Sequence, residues 1–259
     1  MYATNYLEEK FLNILRGVPL SAPARMYIGL YMSSPTETGT SGIEANYAGY
    51  QRVEISFTEP SVMNGGIGTS NSATVTFAQA TTDSGTVTHI GISDSQVGGN
   101  MLLYGELTEP LTIKTNEAPT LLQGEIIFYL NGNLSNTYKI KLLNVLRGSS
   151  IAACTPTIAL FSANPEIAGN EFSASNYERK AIAFTAPVEN ANGRMTTQNN
   201  ANIAFNVPST DWGNLTNFAI MDSTSGGYPV YIGTISPSKE IKKGHNVQIL
   251  SGNLKASID

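Results

Sequence analysis

The chain has 259 residues, of which 41% are hydrophobic and only 14% are charged, so it has enough apolar content for a core and does not have the composition of a disordered segment. Its polar residues are mostly neutral, with 24 Asn, 24 Ser and 26 Thr, and this composition with 24 Gly and 12 Pro favours short strands joined by turns. A single cysteine excludes an internal disulfide, the absence of an apolar run of about 18 residues argues against a membrane-spanning helix, and a net charge of −5 argues against a general nucleic-acid binder.

A short amphipathic helix is predicted at the start of the chain. Asn5 is placed to cap it, and Glu8 follows at the spacing of a capping box. The apolar residues of one face recur at helical intervals: Leu7, Phe11, Ile14 and Leu15. Gly17 is placed to end the helix in the left-handed conformation. Because a helix of this length is not stable alone, we expect its apolar face to pack on a sheet.

Short strands are predicted after the helix. They cover residues 25–32, 53–57, 73–77, 87–93, 101–107, 111–114 and 124–130. Several of them alternate apolar and polar residues, which is typical of strands buried on one face. About seven short strands in roughly 130 residues predict an antiparallel β-sandwich, with a closed barrel as the alternative.

The second half of the chain repeats the first. The motif Leu-Asn-x-Leu-Arg-Gly at residues 12–17 returns at 143–148, an offset of 131. Matching residues between 73 and 105 return between 201 and 233, an offset of 128. A second helix face is therefore predicted from Tyr138, Leu142, Val145 and Leu146. We predict a mainly β protein of two tandem homologous domains, each a short helix followed by a β-sandwich: residues 1–131 and residues 132–259.

The two halves differ in charge. Residues 1–131 contain 12 Asp/Glu and 5 Lys/Arg, a net charge of −7, whereas residues 132–259 contain 8 and 10, a net charge of +2. Three bases of the second half are clustered: Lys239, Lys242 and Lys243. Unlike charges on duplicated domains predict that copies of the chain pair head to tail.

The candidate interface residues are two recurring Tyr-Arg pairs. Tyr50 and Arg52 return as Tyr177 and Arg179, an offset of 127. Tyrosine and arginine often anchor a partner surface, and with the three clustered lysines they form the predicted interface. An internal stack that holds the preceding loop explains the recurrence equally well.

No catalytic residue, cofactor site or metal site is predicted. His89 is interpreted as a surface histidine because its counterpart is Asn217, whereas a repeated metal site would keep its ligands. Asp94 and Asp222 both open glycine-rich turns, and an aspartate that closes a turn is favoured over a calcium loop. Cys154 is predicted to be a small buried apolar thiol.

The order of the motifs resembles that of a known group of proteins. The motifs are residues 12–17, Ser33-Ser34-Pro35-Thr36, Gly49-Tyr50-x-Arg52, residues 74–77, residues 85–92 and Leu103-Tyr104-Gly105. Together they resemble the small β-sandwich virion proteins of tailed bacteriophages, which are labelled tail-fibre or minor structural proteins. The resemblance covers nearly all of residues 4–130 and is fainter in residues 135–259.

The resemblance implies a non-enzymatic structural component of the phage tail, neck or collar. Its expected partners are other virion proteins and copies of itself, with no direct contact to nucleic acid or membrane. The acidic start of the chain lacks the features of a secretory signal, which fits synthesis in the host cytoplasm before incorporation into the virion. The alternatives are a capsid decoration protein and a receptor- or carbohydrate-binding module in which exposed tyrosines and Trp212 stack on sugar rings. A hydrolase that uses two carboxylates is ranked last.

Overall fold

One architecture occurs twice along the chain, in a computed structural model that describes residues 1–63 and 65–258. The elements of the first half are β1 (Tyr2–Ala3), α1 (Asn5–Leu12), β2 (Met26–Tyr31), β3 (Val53–Ile55), β4 (Ser61–Met63), β5 (Gly66–Ser70), β6 (Val75–Thr76), β7 (Gly85–Ser93), β8 (Met101–Ile113), β9 (Thr120–Leu121) and β10 (Ile127–Leu130). Those of the second half are α2 (Asn136–Val145), β11 (Thr157–Phe161), β12 (Lys180–Ala181), β13 (Val188–Glu189), β14 (Met195–Gln198), β15 (Ile203–Ala204), β16 (Gly213–Met221), β17 (Pro229–Ile241), β18 (Gln248–Ile249) and β19 (Lys255–Ser257).

The strands pair into antiparallel sheets in both halves. The first half has a sheet of order β1-β8-β7-β2-β3, a sheet of order β10-β5-β4 and the short pair β6-β9. The second half has the corresponding sheets β12-β11-β16-β17 and β13-β14-β19, with the pair β15-β18. The predicted fold class, tandem antiparallel β-sandwiches each preceded by a helix, is confirmed.

One long strand replaces two that the sequence predicts. Residues 101–107 and 111–113 belong to the single strand β8, which pairs with β7 on both sides of a bulge. His89 lies opposite Glu106 and Val87 lies opposite Leu111, so β8 advances five residues while β7 advances two. The break in the apolar pattern is thus a bulge around Pro110, whose nitrogen has no hydrogen to donate.

The first helix begins differently from the prediction. Its N-cap residue is Thr4, and Asn5 is the first helical residue. The Thr4 hydroxyl donates to the carbonyl of Met101, at 2.6 Å, rather than accepting from the helix. Glu8 is buried, and its Oε2 accepts the N–H of Met195 in the second half at 2.8 Å. The predicted capping box is therefore wrong, because Asn5 lies inside the helix and the side chains of Thr4 and Glu8 bond to distant strands.

The predicted terminal Gly17 and the predicted buried faces of both helices are confirmed, and the structure adds a cap on α2. Gly17 has a positive φ of 81° at the end of the 3-10 turn Asn13–Arg16. In α2 the Ser135 hydroxyl accepts the N–H of Tyr138 at 3.2 Å and caps the helix. The predicted faces are buried: Leu7, Phe11, Ile14, Leu15, Tyr138, Leu142, Val145 and Leu146.

The helices lie at a seam between the two halves. α1 contacts β8 of its own half and β14 and β19 of the other, and α2 contacts β17 and β5 in the reciprocal way. Leu20 and Ile151, which are equivalent by the offset of 131, pair with each other through two backbone hydrogen bonds of 2.9 and 2.8 Å. Equivalent residues that pair with each other mark an approximate two-fold axis. One apolar core runs across this seam.

Candidate functional site: two Tyr-Arg-Glu networks and a charged sheet end

Arg52 connects two loops of the first half. Its Nε donates to Glu44 Oε1 and its Nη2 to Glu44 Oε2, each at 2.8 Å. Its Nη1 donates to the carbonyls of Ser95, at 3.1 Å, and Gly98, at 2.8 Å. The guanidinium therefore fixes the turn between β7 and β8 against the segment that precedes β3.

Tyr50 completes the network from the core side. Its hydroxyl donates to Glu44 Oε1 at 2.9 Å and accepts the N–H of Leu30, also at 2.9 Å. Its ring stacks on Phe77, with centroids 6.0 Å apart and an interplanar angle of 8°. The phenol thus joins the buried strand β2 to the ion pair.

The second half contains the same network. Arg179 binds Glu171 with Nε–Oε1 and Nη2–Oε2 distances of 2.8 and 2.7 Å. Its Nη1 donates to the carbonyls of Ser223 and Gly226, at 3.0 and 2.7 Å. The Tyr177 hydroxyl donates to Glu171 Oε1 at 3.2 Å. The turns of the β7–β8 and β16–β17 hairpins are therefore held by the same contacts.

The ionisation of the first network follows from its contacts. Burial alone would raise the pKa of Glu44, but hydrogen bonds from Arg52, its positive charge, and the hydroxyls of Tyr50 and Tyr31 hold that pKa below its usual value. The hydrogen bond to Glu44 raises the pKa of Arg52, although burial opposes it. Burial raises the pKa of Tyr31 to about 12. At neutral pH the network is an ion pair surrounded by neutral phenols.

The predicted interface residues of the Tyr-Arg pairs thus make internal contacts. The side chains of Arg52 and Arg179 are only 12% and 10% exposed. Their carboxylate partners, Glu44 and Glu171, were missed in the sequence, although they recur at the offset of 127 that relates the Tyr-Arg pairs. A direct role of the pairs in binding a partner stays a prediction.

The turns opened by Asp94 and Asp222 have the predicted geometry. Asp94 Oδ1 accepts the N–H of Asn100 at 2.7 Å, and Asp222 Oδ1 accepts the N–H of Tyr228 at 2.8 Å. Each aspartate therefore closes its own hairpin turn, as predicted. Within residues 1–63 and 65–258, no three His, Cys, Asp or Glu side chains are grouped so that they could hold a metal ion.

The three clustered lysines lie at the far end of the β16–β17 hairpin, and all are exposed. Lys239 lies on β17 opposite Leu215 of β16. Lys242 forms an ion pair with Glu240 at 3.1 Å. The backbone N–H of Lys243 donates to Asp211 Oδ1 at 2.8 Å. The structure thus brings these lysines together at one end of the second half, apart from the turn held by Arg179.

A groove opens beside Lys239. It encloses a cavity of about 760 Å³. Its apolar lining includes Phe205, Leu215, Phe218, Ile235, Val247 and Ile249. Lys239, Glu240 and His245 supply the polar lining. In the first half Leu111 takes the position of Lys239 and packs half-buried against the core.

Other candidate residues have structural surroundings. Trp212 is only 7% exposed and its Nε1 donates to Asn176 Oδ1 at 3.3 Å, so the expectation that this ring stacks on sugars is wrong. Cys154 is buried as predicted, but its Sγ lies 3.4 Å from the Tyr138 hydroxyl, so its surroundings are not purely apolar. His89 is half-buried rather than on the open surface, because it lies on the central strand β7.

The comparisons with known proteins add a family. The family model described as podophage GP4 fiber I protein gp80 matches the chain twice, at residues 2–128 and 133–257. The two matches correspond to the two halves and agree with the duplication predicted from the sequence. No curated protein matches the chain. None of the helices in the described part of the chain has the length and apolar character needed to cross a membrane.

Proposed function

Because the chain belongs to the podophage GP4 fiber I protein gp80 family, whose members are phage fibre structural proteins, we propose that it is a non-enzymatic component of the tail fibre that acts by assembly. The observation that carries this proposal is the extent of the family match, which covers both halves nearly end to end. The segment between the matches contains the turn at residues 131–133, and we place the boundary between the two domains there. Tail attachment at the neck or collar, and decoration of the capsid, are the alternatives within the same class.

The outer surfaces of the molecule carry this proposed function. The ionisable side chains of both Tyr-Arg-Glu networks bind each other and the neighbouring backbone, and their arrangement is structural. Val97, in the turn that Arg52 holds, is 85% exposed. We therefore propose that Tyr50, Arg52, Tyr177 and Arg179 contribute to assembly by fixing the exposed hairpin turns, whereas Lys239, Lys242 and Lys243 contact a partner directly.

The proposed partners are other virion proteins and further copies of the chain, without direct binding of nucleic acid or membrane. The proposed location is the virion, after synthesis in the host cytoplasm. The scarcity of charge and the acidic first half fit a protein that packs against proteins rather than phosphates.

Electron microscopy of purified particles, with gold-labelled antibody against this chain, tests the proposal. Label on the fibres is the expected result. Label confined to the neck, collar or capsid surface would support the corresponding alternative. Particles without label, alongside chain detected in the lysate, would contradict a virion role.

A further inference from the structure

The homologous ends of the two halves differ in charge. Along the later part of β8 and in the loop that follows it, three glutamates are exposed, Glu106, Glu109 and Glu117, together with Lys114, which is the counterpart of Lys242. At the corresponding end of the second half the exposed charges include Lys239, Lys242 and Lys243 with one carboxylate, Glu240, and His245 takes the place of Glu117. We call the three glutamates the acidic end. We call the three lysines with the adjoining cavity the basic groove.

One of the differences between the halves lies beside the groove. Val87 lies opposite Leu111 in the first half, and Leu215 lies opposite Lys239 in the second. Leu111 is half-buried against the core, whereas Lys239 is exposed. The wall that Leu111 forms in one half is therefore open in the other, and the cavity of about 760 Å³ falls in the size range of binding clefts, about 300–1,000 Å³.

Strand-to-strand pairing does not suit these ends. β17 is the last strand of its sheet, and β1 pairs with β8 at Leu103 and Tyr104, so the later part of β8 also lies at an edge. Both edges are bulged at equivalent positions and carry a proline, Pro110 or Pro237. Bulges, prolines and charges prevent an edge from accepting another strand. A partner at these ends must dock through side chains.

We propose that the acidic end of one copy docks into the basic groove of the next copy. This inference rests on the proposed assembly function and names its partner. In this contact Glu106 and Glu109 lie opposite Lys239 and Lys243, and Pro110 in the bulge enters the apolar cavity beside Lys239. Because the two docking surfaces differ, the contact is heterologous, and repetition joins the copies head to tail in a ring or an open fibre.

Two charge-reversed variants of the full chain test the contact. One is E106K/E109K and the other K239E/K243E; Lys242 is kept because it pairs with Glu240. Each variant alone presents two ends of like charge, so self-association at low salt is expected to weaken by about tenfold or more. An equimolar mixture has complementary ends again and is expected to associate as the original chain does. Sedimentation velocity over a range of concentrations measures both.

Matched controls separate docking from general charge effects. Glu9→Lys and Lys255→Glu reverse exposed charges away from the two ends and are expected to leave association unchanged. Lys239→Leu restores the residue of the first half, so it is expected to fill the cavity and weaken association at least several-fold without lowering the melting temperature.

Three results would overturn the inference: an original chain that stays monomeric at low salt, reversed variants that associate as tightly as the original, or a mixture that does not recover. Gold label on the fibres together with any of these results would leave the proposed function standing. Particles without label would contradict the function, while sedimentation would still decide the docking contact.

Discussion

Arg52 and Arg179 each hold a hairpin turn through a single guanidinium group. Five donor positions on a rigid plane allow one arginine to bind a carboxylate with two bonds and still reach two carbonyls. Lysine cannot reproduce this geometry. The recurrence of all four contacts in both halves indicates that the turns, whose tips differ in sequence, need the same support.

Arg179→Met is expected to destabilise the fold by about 2–3 kcal/mol, because Glu171 loses its positively charged partner and two carbonyls lose the donor that they share. Urea denaturation measures the change. Arg25→Met is the control: its pair with Glu54 is exposed on both sides, and its loss is expected to cost less than about 1 kcal/mol. Equal effects of the two substitutions would contradict the role given to the network.

Acid is expected to weaken the first network. The folded pKa of Glu44 lies below its ordinary value of 4.5, so the unfolded chain binds more protons as the pH falls. The stabilisation by Glu44 is therefore complete above about pH 4.5 and is lost as the pH drops through the lower folded pKa. Glu44→Gln should show less loss of stability than the original chain between pH 5 and pH 3, as measured by urea midpoints at each pH. Identical pH profiles would contradict this assignment.

At the scale of elements, the two helices show which features follow from the neighbouring sequence and which depend on distant residues. The apolar faces of α1 and α2 follow from helical spacing alone, and the structure buries them as predicted. The cap of α1 does not follow from the local sequence, because the Thr4 hydroxyl bonds to Met101, far away in sequence. Likewise Pro110 interrupts the apolar pattern of β8 without ending the strand, because the partner β7 continues past the bulge.

Some residues of the candidate site could likewise be predicted from the sequence, and others could not. Glu44 and Glu171 were open to prediction, since their spacing repeats that of the Tyr-Arg pairs. The groove was not, because a lysine in place of Leu111 opens a cavity only where the surrounding side chains leave space. A residue that recurs in both halves identifies structure that the halves share. A residue that differs between the halves can be interpreted only once the packing around it is known.

Ser135→Ala is expected to fray the first turn of α2 and to cost about 1–2 kcal/mol. The substitution removes the acceptor for the N–H of Tyr138 and the donor to the carbonyl of Pro229. Hydrogen exchange of the Tyr138 amide and urea denaturation measure the two effects. Ser149→Ala, at an exposed position after the helix, should change stability by less than about 0.5 kcal/mol. Unchanged exchange at Tyr138 would show that the cap does not hold the helix.

At the scale of the whole molecule, the seam makes each half depend on the other. Phe11 of α1 lies edge-on to Tyr138 and Tyr231 of the second half, with centroids 6.4 and 6.5 Å apart. The carboxylate of Glu8 also crosses the seam to Met195. Separation of the halves would expose the apolar faces of both helices to water.

Residues 1–131 expressed alone are therefore expected to pair with a second copy or to aggregate. The two-fold seam lets Leu20 of one copy occupy the place that Ile151 holds in the full chain. Sedimentation equilibrium and thermal melting, with the full chain as control, measure this dependence. A monomer that melts at the temperature of the full chain would contradict it.

The two-fold seam has an evolutionary consequence. Two separate identical subunits joined by such an axis must present the same surface on both sides, so a change that suits one side is copied on the other. Covalent fusion of the pair removes that constraint, and each side can mutate independently. A leucine at residue 111 and a lysine at the equivalent residue 239 then make the two ends of the molecule different. A building block with two different ends can be added to a fibre in a single direction.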